Sequence, residues 1–249
     1  MSARTSTALQ YALGTMVLLG LWQVLGATAA FGQTLPTLSS VLAAVGSEAE
    51  RPILLPAVGA TVLSALAGLA IGGSCAVTAA AIRHSLQFAR EGIDRSAATV
   101  HSIPAIGIAP VLALAVGRST TPVALAALAT FFPVYITASA ALGAAQGAHQ
   151  DLFSVLGASR LQRLRRLQVP AAVPGLLDAL RLGAPGAVLG AVLGEWFGAP
   201  RGLGLVIISS AQNYQIVQMW AASLLTTLLS LVAFAGASAL QLVTRRRFA

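Results

Sequence analysis

The sequence predicts an all-α protein, a polytopic membrane bundle of about six transmembrane helices. Of its 249 residues, 57% are hydrophobic and only 9% are charged, whereas a soluble domain is typically about 45–50% apolar and about 25% charged. Long charge-free stretches separate the charged residues, and several can hold a span of about 20 residues. The basic residues also alternate between dense and sparse clusters along the chain. This composition excludes an intrinsically disordered protein, which needs low hydrophobicity.

The apolar stretches define the predicted spans in order, within a single domain over residues 1–249. The first follows Arg4 and is longer than the apolar part of a secretory signal, so we expect it to be retained. In the fifth, Gly186 and Gly190 have GxxxG spacing, which fits either packing within the chain or a contact between subunits. The predicted spans are residues 8–31, 58–82, 98–117, 121–143, 178–197 and 217–243.

Arginine alone carries the orientation signal, because the chain has no lysine. With six spans, 12 arginines fall on one side of the membrane and 3 on the other, the latter being Arg51, Arg118 and Arg201. Positive residues concentrate in cytoplasmic loops, so both termini are predicted to be cytoplasmic in a multi-pass membrane protein. The net charge of +8 is therefore attributed to topology, and no nucleic-acid partner is predicted.

The residue types present argue against an enzyme. Without lysine the chain cannot carry a Walker A loop or a Schiff-base lysine. Its three histidines, His84, His101 and His149, are far apart, and Cys75 is its only cysteine, so we predict no catalytic residue, metal or cofactor. Mid-span charges are also missing from the predicted spans, which disfavours ion-coupled transport. If the protein transports a solute, the energy is expected from a partner; the alternative is a self-contained secondary transporter or channel without an ATPase partner.

The loop at 144–174, on the predicted cytoplasmic side, is the most informative segment. Leu152, Phe153 and Leu156 give a short apolar helical face, and Gly157 can end that helix because glycine accepts the left-handed conformation. Ser159 can then cap a second helix, in which arginines and leucines alternate and which Pro170 is expected to stop. Such a basic amphipathic helix fits either an interfacial helix on anionic lipid or a docking element for a soluble partner.

This loop resembles the EAA loop of permease subunits from binding-protein-dependent ABC importers. The family pattern is Glu-Ala-Ala, three residues, Gly, nine residues, then Ile-x-Leu-Pro. This chain has Asp151-Leu-Phe, three residues, Gly157, nine residues, then Leu-Gln-Val-Pro170, so the spacing is kept while leucine and phenylalanine replace the alanines. The segments 102–110 and 194–204 also look like family segments, and the chain most resembles the nitrate, sulfonate and taurine branch.

The resemblance implies a permease homodimer that forms the pathway, with cytoplasmic ATP-binding subunits and an extracytoplasmic substrate-binding protein as partners. It implies that the loop forms a cytoplasmic coupling helix, and that the substrate is a small anion or organic solute such as nitrate, sulfonate or taurine. The residues expected to contact the ATPase are Asp151, Leu152, Phe153, Gly157, Arg160, Arg163, Val169 and Pro170. The pathway candidates are Ser102, Pro104, Pro110 and Glu195. Glu195 is expected to face outward, either against substrate or binding protein or solvated at the membrane interface.

Overall fold

The computed structural model describes residues 3–143, 153 and 155–248, and all regular elements in these ranges are helical. The all-α fold class is thereby confirmed. Five of the described helices are long and apolar enough to cross a membrane, and α4 with α5 makes a sixth if that bent pair is one broken span. The helices are α1 (Ala3–Ala27), α2 (Leu38–Gly46), α3 (Arg51–Ser85), α4 (Arg90–Ser102), α5 (Ala105–Ala115), α6 (Thr121–Gly143), α7 (Val169–Glu195), α8 (Leu203–Gln212) and α9 (Ile216–Phe248).

Helix α6 packs between α3 and α7 at the centre of the bundle. Glycines allow the close approach: a Cβ at Gly72 would lie 2.2 Å from the carbonyl oxygen of Ala127, and one at Gly190 would lie 2.4 Å from that of Leu125. Gly186 also faces α6, with the backbone oxygen of Ala129 at 3.3 Å from a Cβ placed there. The GxxxG pair therefore packs within the chain, which was one of the two alternatives. Close backbone contact between small residues is what membrane helices use in place of a hydrophobic driving force.

We expect Gly72→Ala to destabilise the bundle, because the added methyl overlaps the α6 backbone, which cannot move without separating the helices. Overpacking of this kind typically costs about 1–3 kcal/mol. The matched control is Gly73→Ala, where a Cβ meets nothing within 4 Å and the helix gains about 0.5–1 kcal/mol from replacing glycine. Thermal unfolding of the purified variants in detergent measures the difference, and equal melting temperatures would contradict this packing.

The predicted third span, residues 98–117, is not one straight helix. Helix α4 ends at Ser102, α5 begins at Ala105, and the two axes bend by 92°. Ile103 and Pro104 between them are both extended, with ψ of 122° and 115°. Proline sterically disfavours helical geometry in the residue before it, so the helix breaks at Ile103. The sequence did not predict this break, because hydropathy registers apolar length and not direction.

The fifth span is longer than the predicted 178–197, because α7 starts at Val169. Pro170 occupies the first turn of α7 and does not stop a helix there, so that prediction was wrong. A proline is tolerated at this position because the first backbone N–H groups of a helix have no intrahelical acceptor to lose. The proline therefore marks the start of the long helix.

Two short helices that were not predicted, α2 and α8, pack at one end of the bundle. Val41 of α2 and Leu203 of α8 are fully buried in a cluster with Leu54 of α3. Helix α1 joins this end through Trp22, whose ring centroid lies 5.2 Å from that of Trp220 in α9. Otherwise α1 is largely exposed, with no residue of its apolar window buried inside the chain. Helices α2 and α8 lie at the end of the bundle that is predicted to be on the extracytoplasmic side of the membrane.

Candidate functional site

In the loop predicted to be cytoplasmic, the described residues begin with a helix end that closes at Gly157. Gly157 has φ of +67°, the left-handed conformation expected for it. The backbone N–H of Ala158 donates to the carbonyl oxygen of Phe153 at 2.9 Å, five residues back. A left-handed glycine together with this hydrogen bond is the Schellman closure of a helix C-terminus. The prediction that a short helix ends at Gly157 is confirmed.

Ser159 caps the following helical turn by a reciprocal pair of hydrogen bonds. Its Oγ accepts from the backbone N–H of Gln162 at 3.3 Å, and the side-chain oxygen of Gln162 accepts from the backbone N–H of Ser159 at 2.8 Å. This capping box orients the turn at Arg160–Arg163, which continues through a π-helical stretch at Leu164–Gln168 into α7. From Arg160 onward the described part of the loop is therefore helical without a break into α7.

The surface beside Gly157 is apolar. Val155 is 85% exposed and Leu156 is 71% exposed, while Phe153 is half-buried. These two adjacent apolar side chains are available for contact with a partner. Val155 was not among the predicted contacts, although its place between Phe153 and Gly157 in the motif could have identified it.

The structure describes only some of the other residues that were predicted to contact the ATPase. Asp151 and Leu152 lie outside the described residues, as does the side chain of Arg160. Arg163 is half-buried, and Val169 and Pro170 are exposed at the start of α7. These roles stay predictions.

The pathway candidates in the third span lie on the exposed side of the α4–α5 bend. Ser102, Pro104 and Pro110 are all exposed on the single chain. The Oγ of Ser102 donates to the carbonyl oxygen of Thr99 at 2.8 Å, within its own helix. The bend therefore presents these residues on an open face of the chain, where lipid, solute or a second subunit can contact them.

Glu195 does not face outward. Its side chain is fully buried at the end of α7, so the expectation of an outward or solvated carboxylate was wrong. Its Oε1 accepts from Thr61 Oγ1 at 2.8 Å, and its Oε2 accepts from the backbone N–H of Gly204 at 2.7 Å. Thr61 in turn accepts from the backbone N–H of Leu203 at 2.9 Å. The carboxylate and the hydroxyl together satisfy the first two N–H groups of α8, which begins without a side-chain cap of its own.

Thr61, Gly202 and Gly204 are the functional neighbours that sequence reasoning missed. Gly202 has φ of +137°, and a Cβ there would lie 2.1 Å from Cδ of Glu195. A signal was present in the segment 194–204, where Glu195 precedes a Gly-x-Gly that starts a helix. Nothing in the sequence connects that segment to Thr61, which lies 134 residues before Glu195.

We expect Thr61→Val to destabilise the outer end of the bundle, while Thr61→Ser is close to neutral. Valine has the same shape but removes the hydroxyl, which leaves a buried N–H at Leu203 unpaired and the Glu195 carboxylate short of one donor. An unsatisfied buried group costs about 1–3 kcal/mol. Thermal unfolding in detergent checks this, and a valine variant as stable as the serine variant would contradict it.

Residues 68–249 match the protein family described as the inner membrane component of binding-protein-dependent transport systems. The match covers α6, α7 and the loop between them, and the chain belongs to this family of ABC importer permeases. It is accordingly a multi-pass membrane protein, and the EAA-type loop is typical of the family.

Three curated relatives are named for different substrates. The formylaminopyrimidine transport permease protein ThiX of Halalkalibacterium halodurans is 31% identical over 181 residues, covering 71% of this chain and 72% of that protein. The riboflavin transport system permease protein RibX of Chloroflexus aurantiacus is 35% identical over 111 residues, 44% of this chain and 41% of that protein. The putative aliphatic sulfonates transport permease protein SsuC of Bacillus subtilis is 24% identical over 207 residues, 82% of this chain and 75% of that protein.

A solved structure shares the fold. A chain of the inward-facing MetNI methionine ABC transporter matches with a TM-score of 0.62 and 19% identity, over 82% of this chain and 99% of that chain. At this identity the likeness concerns the fold alone.

Proposed function

We propose that this chain is the permease subunit of an ATP-driven importer in the bacterial inner membrane. Two copies would form the translocation pathway, with both termini in the cytoplasm. The observation that carries the proposal is the family match over residues 68–249, which includes the central spans and the loop. The arginine distribution supports the orientation, with 11 arginines on one side, 3 on the other and Arg181 inside α7.

ATP hydrolysis is assigned to separate cytoplasmic subunits that dock on the loop. The absence of lysine from the chain supports this division, since a Walker A loop needs one. In the proposed docking, Val155 and Leu156 bury in the ATPase together with the predicted contacts at 151–153. Gly157 gives the joint its shape, and the capped turn at Ser159 transmits motion into α7. Arg160 and Arg163 pair with acidic groups of the ATPase or with lipid phosphates.

The substrate is proposed to be a small organic solute delivered by an extracytoplasmic binding protein. ThiX is 31% identical and matched over 72% of its length, and it is named for a formylaminopyrimidine. This supports a nitrogen heterocycle of that size as the first candidate. The sulfonate class is the second candidate, supported by the longer but more distant match to SsuC. Nitrate and taurine come from the sequence resemblance alone.

Reconstitution tests the whole proposal. A tagged chain is purified with whatever ATPase co-purifies, placed in liposomes with the companion binding protein, and supplied with labelled formylaminopyrimidine, riboflavin or an alkanesulfonate. We expect uptake of one solute that requires ATP and the binding protein. Uptake by the chain alone, without ATP, would instead support the secondary transporter or channel.

A further inference from the structure

A small polar cavity lies at the end of α3 that is predicted to be cytoplasmic. Its volume is about 250 Å³. It is formed where α3, the start of α4 and the end of α6 meet. The lining residues are Arg83, His84, Gln87, Arg90, Ser139 and Gly143.

Two arginines and several polar side chains line the cavity. Arg83 binds Asp94 through Nε at 2.6 Å, and Tyr135 donates its hydroxyl to the same carboxylate oxygen at 2.5 Å. Asp94 thereby has two donors, and Arg83 lines the cavity while paired with it. Within the part of the chain that the structure describes, Arg90 forms no ion pair. The buried Oγ of Ser139 adds a hydroxyl to the lining, next to Tyr135 on the same helix.

An apolar cavity of about 440 Å³ lies further along the same helices, toward the middle of the predicted spans. On α3 its lining includes Ala79, one helical turn before Arg83. On α6 it includes Phe131, about two turns before Ser139. Gly92, which also lines it, is exposed, so the cavity is open to the surroundings of the helices.

The position of the two cavities fits the inner edge of a bilayer. Phe88, just before the start of α4, is 88% exposed beside the arginine-lined cavity. An exposed aromatic next to basic side chains is typical of a segment at the lipid headgroups, where the ring enters the acyl region and the cations face phosphates.

We propose that the two cavities form one site for an anionic phospholipid of the cytoplasmic leaflet. Its phosphate would bind in the cavity lined by Arg83 and Arg90, and one acyl chain would lie in the apolar cavity. The acyl cavity is what selects a lipid over a free phosphate, and the excess positive charge is what selects an anionic over a zwitterionic headgroup. The inference rests on the membrane orientation proposed above and is independent of the transported solute.

Lipid titration of the full purified chain tests this site. Native mass spectrometry would count palmitoyl-oleoyl phosphatidylglycerol retained by the chain, with the phosphatidylcholine of the same acyl chains as comparison. We expect tighter retention of phosphatidylglycerol and a loss of about fivefold in affinity for Arg90→Gln, the effect of one arginine near an anionic surface. The matched control is Arg95→Gln on the same helix, which pairs with Glu91 at the surface and should change affinity less than about twofold.

A second pair of variants tests the acyl cavity. Gly92→Leu fills it without meeting any atom within 4 Å at the Cβ, and should lower phosphatidylglycerol retention. The control is Gly59→Leu, an equally open and exposed glycine that lines neither cavity.

Equal retention in Arg90→Gln and Arg95→Gln, or equal binding of the two lipids, would overturn the proposal. Displacement by millimolar glycerol phosphate would overturn it in favour of a free phosphate, and loss of lipid when ATPase subunits bind would assign the cavity to that partner. The lipid measurements use the purified chain and do not depend on transport. If the reconstituted protein showed no ATP-driven uptake, that result would contradict the proposed transport function and not the lipid site.

Discussion

Replacing Gly157 with valine is expected to abolish ATP-driven uptake in the reconstituted importer, while the chain still inserts into the membrane. Gly157 has φ of +67°, and a Cβ there meets nothing within 4 Å. Space is therefore available, and the cost comes from the backbone: a β-branched residue in the left-handed region is strained by about 1–3 kcal/mol. The helix end would relax to another geometry and move the exposed Val155 and Leu156 away from the ATPase.

The control for this variant is Gly157→Asn, because asparagine adopts the left-handed region far more readily than other residues. We expect it to keep most of the uptake, whereas valine should reduce uptake by at least about tenfold, the change that corresponds to 1.4 kcal/mol. Membrane fractionation and co-purification of the ATPase separate insertion from docking. Normal uptake in the valine variant would contradict the coupling role of this joint.

The second large effect is expected for Gly202→Ala, which should prevent stable folding of the outer end of the bundle. Gly202 has φ of +137° and ψ of 162°, a combination that is essentially restricted to glycine. An alanine Cβ would also lie 2.1 Å from Cδ of the buried Glu195. Backbone strain and overpacking together amount to at least about 3 kcal/mol, and the α8 cap would be lost with them.

Gly117→Ala is the control for Gly202→Ala, because it introduces backbone strain without a contact to Glu195. The difference between the two variants measures the contribution of the Glu195 contact. Gly117 also has a positive φ, of +87°, but its Cβ would meet nothing within 4 Å. We therefore expect it to lower the free energy of unfolding by about 1–2 kcal/mol from backbone strain alone. Denaturation in mixed micelles compares the two variants, and equal losses would show that Glu195 is not held against Gly202 as the structure places it.

Local chemistry accounts for the features that the sequence predicted correctly. The span count follows from apolar length, because a charged side chain at the centre of a bilayer is costly. The helix end at Gly157 and the cap at Ser159 depend on glycine and serine acting on backbone groups within five residues. The loop spacing that resembles the EAA motif lies within 20 consecutive residues, and the family match confirms the resemblance.

The errors share a different cause. Pro170 and Pro104 both signal a helix boundary, but whether a proline ends a helix, starts one or lies in a sharp bend depends on where the next helix packs. Glu195 was predicted to face outward because the sequence does not identify its hydrogen-bond partners. Thr61 is on another helix, and Gly204 follows a turn whose direction the sequence does not predict.

The amino-acid sequence by itself determined that this protein is a helical membrane protein, and its loop resembles that of the ABC importer permeases. Composition and short-range motifs suffice for the apolar helices and the capped loop, because each reports a free energy that acts within a single helix or turn, whereas the family rests on the resemblance of the loop motif. Only the tertiary structure decided that Gly186 and Gly190 pack on α6, that the third span breaks by 92°, and that Glu195 caps α8. Each of these depends on which distant backbone lies within a few ångströms, and that distance is set by the packing of all the helices together.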